Sequence, residues 1–271
     1  MTELLFDTRL VEEAVFLHMH AGAASDQGQR LWDEERERLY EGSAAGERDE
    51  RFRAFGRRWF RRLGLDQPIR EALEACPNLE RRVERVEVRF AVRAKDERAE
   101  LFVAPAPAAA AAAGVPEGGC ETGRSPIRTA ERDPPARAVL CLRPQRFGDP
   151  LALLRFASVE LLRIDDMLAP SFHYRPELPR ELEGHPGERE RLQDRLRVLW
   201  EANLEARVAE RLRLPTERDS PSGLARVFGG LGDEELEELR DWLRNEVDFR
   251  ALLAAAKSGT CPDRRILGPR V

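Results

Sequence analysis

The chain is organised around the stretch from Asp149 to Met167, whose apolar residues recur at helical spacing. At 100° per residue, Leu153, Phe156, Ala157, Ile164 and Met167 all lie within about 60° of Glu160. Asp149 can cap the N-terminus with its carboxylate and Pro150 suits the first helical position. No further proline occurs before Pro170, so a helix is expected over residues 149–168. One carboxylate therefore sits in the middle of an apolar stripe. Burial there is costly unless Glu160 is paired, hydrogen-bonded, protonated or bound to a ligand. Arg163, three residues on and about 60° round the same face, is the simplest partner. The alternative is a carboxylate kept for chemistry.

Helical spacing also predicts helices over 8–20, 29–41, 47–63 and 67–75, with Pro77 closing the series. These make residues 1–80 a helical N-terminal part. The period then changes to two. Val86, Val88, Phe90 and Val92 alternate with polar neighbours and predict a strand over 86–92, followed by strands at 100–103 and 138–142. Lys95, Asp96 and Glu97 read as the turn between the first two. Residues 104–135, with an alanine run and several prolines, read as a disordered insert. A long helix is expected over 188–212, a loop over 215–232 and a last helix over 233–257, leaving 258–271 as a tail. The class is α+β, mostly helical with a small sheet of short strands. On the long helix, Asn203 and Arg207 intrude on the apolar face and need partners, such as an acid from a neighbouring helix.

Composition narrows the function. The net charge is −5 while 35% of residues are charged. Every cation except Lys95 and Lys257 is arginine, and clusters such as Arg57-Arg58 are interleaved with acids. Nucleic-acid binding calls for a one-sided basic stripe, and none is visible. No apolar run of about 18 residues could span a membrane. The first residues lack a basic region followed by an apolar segment, which suggests a cytoplasmic protein. Cys76, Cys120, Cys141 and Cys261 form no Cys-x-x-Cys pair and read as free thiols. His18 and His20 point about 200° apart on a helix and cannot share a metal there.

The order of elements carries a resemblance. Helices, a small sheet, a helix with an inward glutamate, the aromatic turn Pro170-Ser-Phe-His-Tyr174 and a second long helix with Leu199-Trp200-Glu201 resemble the bacterial zincin-like metallopeptidases. In that family the helix carries His-Glu-x-x-His. Two histidines four apart bind zinc, and the glutamate polarises the metal-bound water. Here the stretch reads Val159-Glu160-Leu161-Leu162-Arg163. Valine has no donor atom, and arginine is a permanent cation that repels zinc.

The resemblance implies one zincin-like domain over residues 1–271 with no metal ligand set and no cofactor. Glu160 would be a vestigial general base. Arg163, Glu201, Glu205, Arg207, His173 and Tyr174 are the surrounding binding candidates. The expected role is that of a binding or regulatory protein with a peptide or protein partner, rather than an enzyme. One alternative is an active metal-dependent hydrolase or peptidase holding zinc through relocated ligands drawn from Glu160, Asp166, His173 and Glu201. Another is a helical scaffold unrelated to zincins. Outside the relocated-ligand reading, Asp165 and Asp166 read most simply as a solvated helix face and C-terminal turn.

Overall fold

The computed structural model describes residues 2–21, 25–41, 45–103, 136–175, 186–213, 223–245 and 247–259. The expected insert 104–135 with Cys120, residues 215–222 of the expected loop and nearly all of the tail with Cys261 lie outside the described residues.

The fold is mostly helical with a four-stranded mixed sheet. Strand β1 (Glu3–Phe6) leads into α1 (Thr8–His20), α2 (Asp26–Glu37), α3 (Ala45–Arg62), α4 (Gln67–Glu74) and α5 (Pro77–Arg82). Strands β2 (Val83–Phe90), β3 (Arg98–Val103) and β4 (Ala136–Leu142) complete the sheet. Helix α6 (Pro150–Leu168) follows, then α7 (Pro186–Arg211), α8 (Gly223–Val227), α9 (Asp233–Leu243) and α10 (Phe249–Ser258).

The strand order is β1-β2-β4-β3. β1 and β4 both pair with β2 in parallel, and β3 pairs with β4 antiparallel. Residues 94–96 therefore do not close a hairpin between β2 and β3, because β4 lies between them. They form a 3-10 turn instead. β1 was not expected: four residues give too little alternation to register as a strand. The alternation Val86, Val88, Phe90 does face the core, while Val92 lies beyond the strand, 73% exposed.

Several boundaries differ from the periodicity. α1 is capped by Asp7, whose carboxylate accepts the Leu10 N–H at 3.1 Å, not by Thr8. α2 starts at Asp26 behind a Ser25 cap, and residues 38–40 tighten to a 3-10 turn. Pro77 opens α5 rather than ending a helical series, since proline fits the first turn of a helix. The expected loop 215–232 contains α8. The last predicted helix breaks in two. Its apolar spacing continues through Val247, but α9 ends at Leu243 and Asp248 caps a new helix through the Ala251 N–H at 2.8 Å.

Two hydrophobic clusters organise the chain. The first joins α1, α3 and α4 to one face of the sheet, through residues such as Leu10, Trp59, Ile69, Val86 and Leu140. The second is wholly helical and joins α7, α9 and α10 through Leu199, Leu204, Leu239 and Leu252. α6 serves both. Leu153, Ala157, Leu161 and Ile164 belong to the first cluster, and Val159, Leu162 and Met167 pack on the second.

Candidate functional site on helix α6

α6 starts as its sequence requires. Asp149 accepts the Ala152 N–H at 3.0 Å, and Pro150 occupies the first position. With apolar partners on two sides, the polar residues of this helix are carried into contact rather than out to solvent. Glu160 is 6% exposed. Its Oε1 accepts from Arg163 Nη1 at 2.7 Å and its Oε2 from the backbone N–H of Ala99 at 2.7 Å. β3 is an edge strand. The Ala99 N–H on it goes to Glu160, so this carboxylate covers part of an open sheet edge. A charge-assisted bond to each oxygen offsets the desolvation of the carboxylate.

The structure places Asp165 and Asp166 in the interior, 5% and 4% exposed, which corrects the expectation of a solvated face. Asp165 Oδ1 accepts the Leu79 N–H at 2.7 Å, and Oδ2 accepts from Asn78 Nδ2 at 2.9 Å. Cys76, at the N-cap position of α5, makes no side-chain cap bond. Asp165 therefore caps α5 from another helix, supplying the acceptor that the first turn lacks. Burial, with Asp165 adding to it, pushes the Cys76 thiol up to about 12, so it is a buried and unreactive sulfur.

Asp166 faces the helical cluster. Its oxygens accept from Arg207 Nη1 at 3.0 and 2.9 Å and from Trp200 Nε1 at 3.2 Å. Burial raises the Asp166 carboxyl above its ordinary range and outweighs the opposing pull of Arg207 and Trp200. Arg207 thus has the acid partner that its place on an apolar face demanded. Asn203 does not. It donates to the carbonyls of Leu243 and Asn245 at 2.7 and 2.9 Å and closes the C-terminus of α9.

The remaining candidates lie elsewhere. Glu201 pairs on its own helix with Arg197 at 3.9 Å, and Glu205 is exposed. His173 has a left-handed backbone, φ 56°, and its Nδ1 lies 3.6 Å from Asp248. Tyr174 packs in an aromatic group, 5.6 Å from Trp200 and edge-to-face 5.3 Å from Phe249 between ring centroids. Among the described residues no three His, Cys, Asp or Glu side chains are arranged to hold a metal ion.

Comparison with family models, curated proteins and solved structures found no match to this chain. Zinc does not fit the residues present. Val159 offers no donor, and the guanidinium of Arg163 stands against Glu160.

A further buried carboxylate lies on no apolar stripe of the sequence. Glu97, expected in a turn, has a side chain only 1% exposed. It accepts the Arg143 N–H and Arg146 Nε, both at 2.9 Å. Burial alone would raise its pKa, but these donors together hold it below the usual carboxylate range. Arg146 also lies 4.0 Å from the centroid of the Phe156 ring on α6. Glu97 and Glu160 therefore fix the start of β3 from two directions. No feature of a single sequence marks such a partner, because both donors are more than 40 residues away.

Proposed function

We infer that the chain is a zincin-like protein that has lost its metal site and acts as a binding or regulatory protein for a peptide or protein partner. The observation that supports this is the state of Glu160. A general base must be free to take a proton from bound water. Here one oxygen accepts from a permanent cation and the other from a backbone N–H, each at 2.7 Å. Both oxygens are thus engaged by donors that the fold holds in place.

The direct experiment is metal analysis of the purified protein after incubation with zinc, beside a peptide-cleavage assay. The parent is expected to hold no stoichiometric zinc and to cleave nothing. Stoichiometric zinc that disappears in a folded Glu160→Gln variant overturns the reading. Val159→His with Arg163→His should create zinc affinity if the frame around α6 is zincin-like.

A second reading, a helical scaffold without zincin ancestry, is favoured by the ties of Asp165 and Asp166, which join α6 to α5 and to α7. A folded double-histidine variant with no zinc affinity selects this second reading.

A further inference from the structure

We propose that an open cavity between α1, α2 and α3 is a binding site for a small organic ammonium ligand with an aromatic or branched apolar body. The cavity has a volume of about 500 Å³, within the range of small-molecule sites. It lies in the N-terminal helices and does not involve α6. Its apolar lining includes Val15, Phe16, Trp32, Phe52 and Phe55. Phe16 is 47% exposed, although it stacks on His20 with ring centroids 4.0 Å apart. A large aromatic side chain held half in water beside a cavity has apolar surface left to bury against a ligand.

The charge around this cavity selects the sign of the ligand. Five charged side chains line it: Glu12, Glu13, Asp49, Arg36 and Arg53. Glu13 is taken by Arg9 at 3.0 Å, and Arg53 lies 3.7 Å from Glu50. Arg36 rests over the Trp32 ring, 5.1 Å from its centroid. Glu12 and Asp49 have no hydrogen bond or ion pair among the described residues. The carboxylates left without a partner outnumber the one unpaired guanidinium, so the site attracts a cation. Phe16, half exposed on the lining, is the ring with area left for an ammonium. Trp32 is 4% exposed, and its indole Nε1 has no partner among the described residues. Gly56 lines the cavity where α1 approaches α3: a Cβ there would lie 3.4 Å from Glu12 Cγ.

The test is a nuclear magnetic resonance titration of the full chain with 2-phenylethylammonium. Phenylacetate and 2-phenylethanol serve as the anionic and neutral probes. The chain has four tryptophans, and the Trp32 indole N–H resonance is assigned by its loss in Trp32→Phe. The expected result is a saturable shift of that resonance with the ammonium probe. The anion and the alcohol should bind about tenfold more weakly or not at all. Glu12→Gln with Asp49→Asn should weaken ammonium binding by a similar factor, with the melting temperature unchanged, because both side chains are at the surface. No saturable shift overturns the site. Equal binding of all three probes, or ammonium binding indifferent to the double substitution, overturns the assigned charge selectivity and with it the proposal.

Discussion

The two sides of α6 use their carboxylates differently. Toward the sheet-containing cluster, Glu160 accepts the Ala99 N–H and Asp165 accepts the Leu79 N–H. Toward the helical cluster, Asp166 accepts from the side chains of Arg207 and Trp200. The reason lies in what each neighbour leaves unpaired. Sheet edges and the first turns of helices present backbone N–H groups without partners. The flank of a long helix such as α7 presents none, since its amides are spent within the helix. An acid buried against a helix flank must find a side-chain donor, and for a full charge the effective one is arginine. The first kind of tie is neutral on its far side. The second depends on a counter-charge, so the two should fail differently.

The largest effect is expected at Arg207. Arg207→Ala leaves Asp166 buried without its cation, at a cost of roughly 3–5 kcal/mol. The loss should depend on pH. The Asp166 carboxyl is already raised by burial, and losing Arg207 raises it further. A carboxylate with a higher pKa folded than unfolded binds more protons folded, so stability falls as pH rises through the interval between the two values. The deficit of Arg207→Ala relative to the parent should therefore shrink from pH 7 toward pH 4. Urea unfolding at several pH values measures it. A deficit that is constant or grows in acid contradicts the pairing.

On the sheet side the two atoms of interest are separable. Glu160→Gln keeps an acceptor for the Ala99 N–H, whereas Glu160→Leu keeps none and leaves Arg163 unpaired as well. The leucine variant should be less stable than the glutamine variant by roughly 1–3 kcal/mol. Replacing Glu160 and Arg163 together by leucine should recover the part due to the stranded cation but not the part due to the amide. Full recovery in chemical denaturation would mean that the edge amide is satisfied without Glu160.

The smallest effect concerns Gly56, inside α3 and far from these ties. An alanine there gains helix propensity, and its Cβ meets only the flexible Cγ of Glu12 and a Val11 methyl group, at 3.4 and 3.8 Å. Gly56→Ala should stabilise the chain by up to about 1 kcal/mol. It should do so with the same pH dependence as the parent. Thermal unfolding at neutral and acid pH checks both statements.

Local signals in the chain were readable where the partner was local. The α6 helix follows from Asp149, Pro150 and the 3.6-residue period, and the Glu160–Arg163 pair follows from a spacing of three. The need of Arg207 for an acid was legible from its apolar neighbours, though not which acid. Partners that are backbone amides leave no mark of this kind. Asp165 reads as a surface acid because its donors lie 86 and 87 residues away in α5. The break after Leu243 was hidden for a different reason. Val247 and Leu252 continue the hydrophobic period across it, while the Asp248 cap that enforces it is a single polar residue.

The tie that matters most is that of Glu160 to an edge amide and a neighbouring cation. Amide hydrogen exchange at Ala99 tests it most directly. In the parent this N–H should be protected by its 2.7 Å bond to Glu160, although it lies on an edge strand. In a folded Glu160→Leu variant, protection at Ala99 should drop sharply. Amides that bond within the β3–β4 ladder should keep theirs. Unchanged protection at Ala99 after loss of the carboxylate would contradict the account.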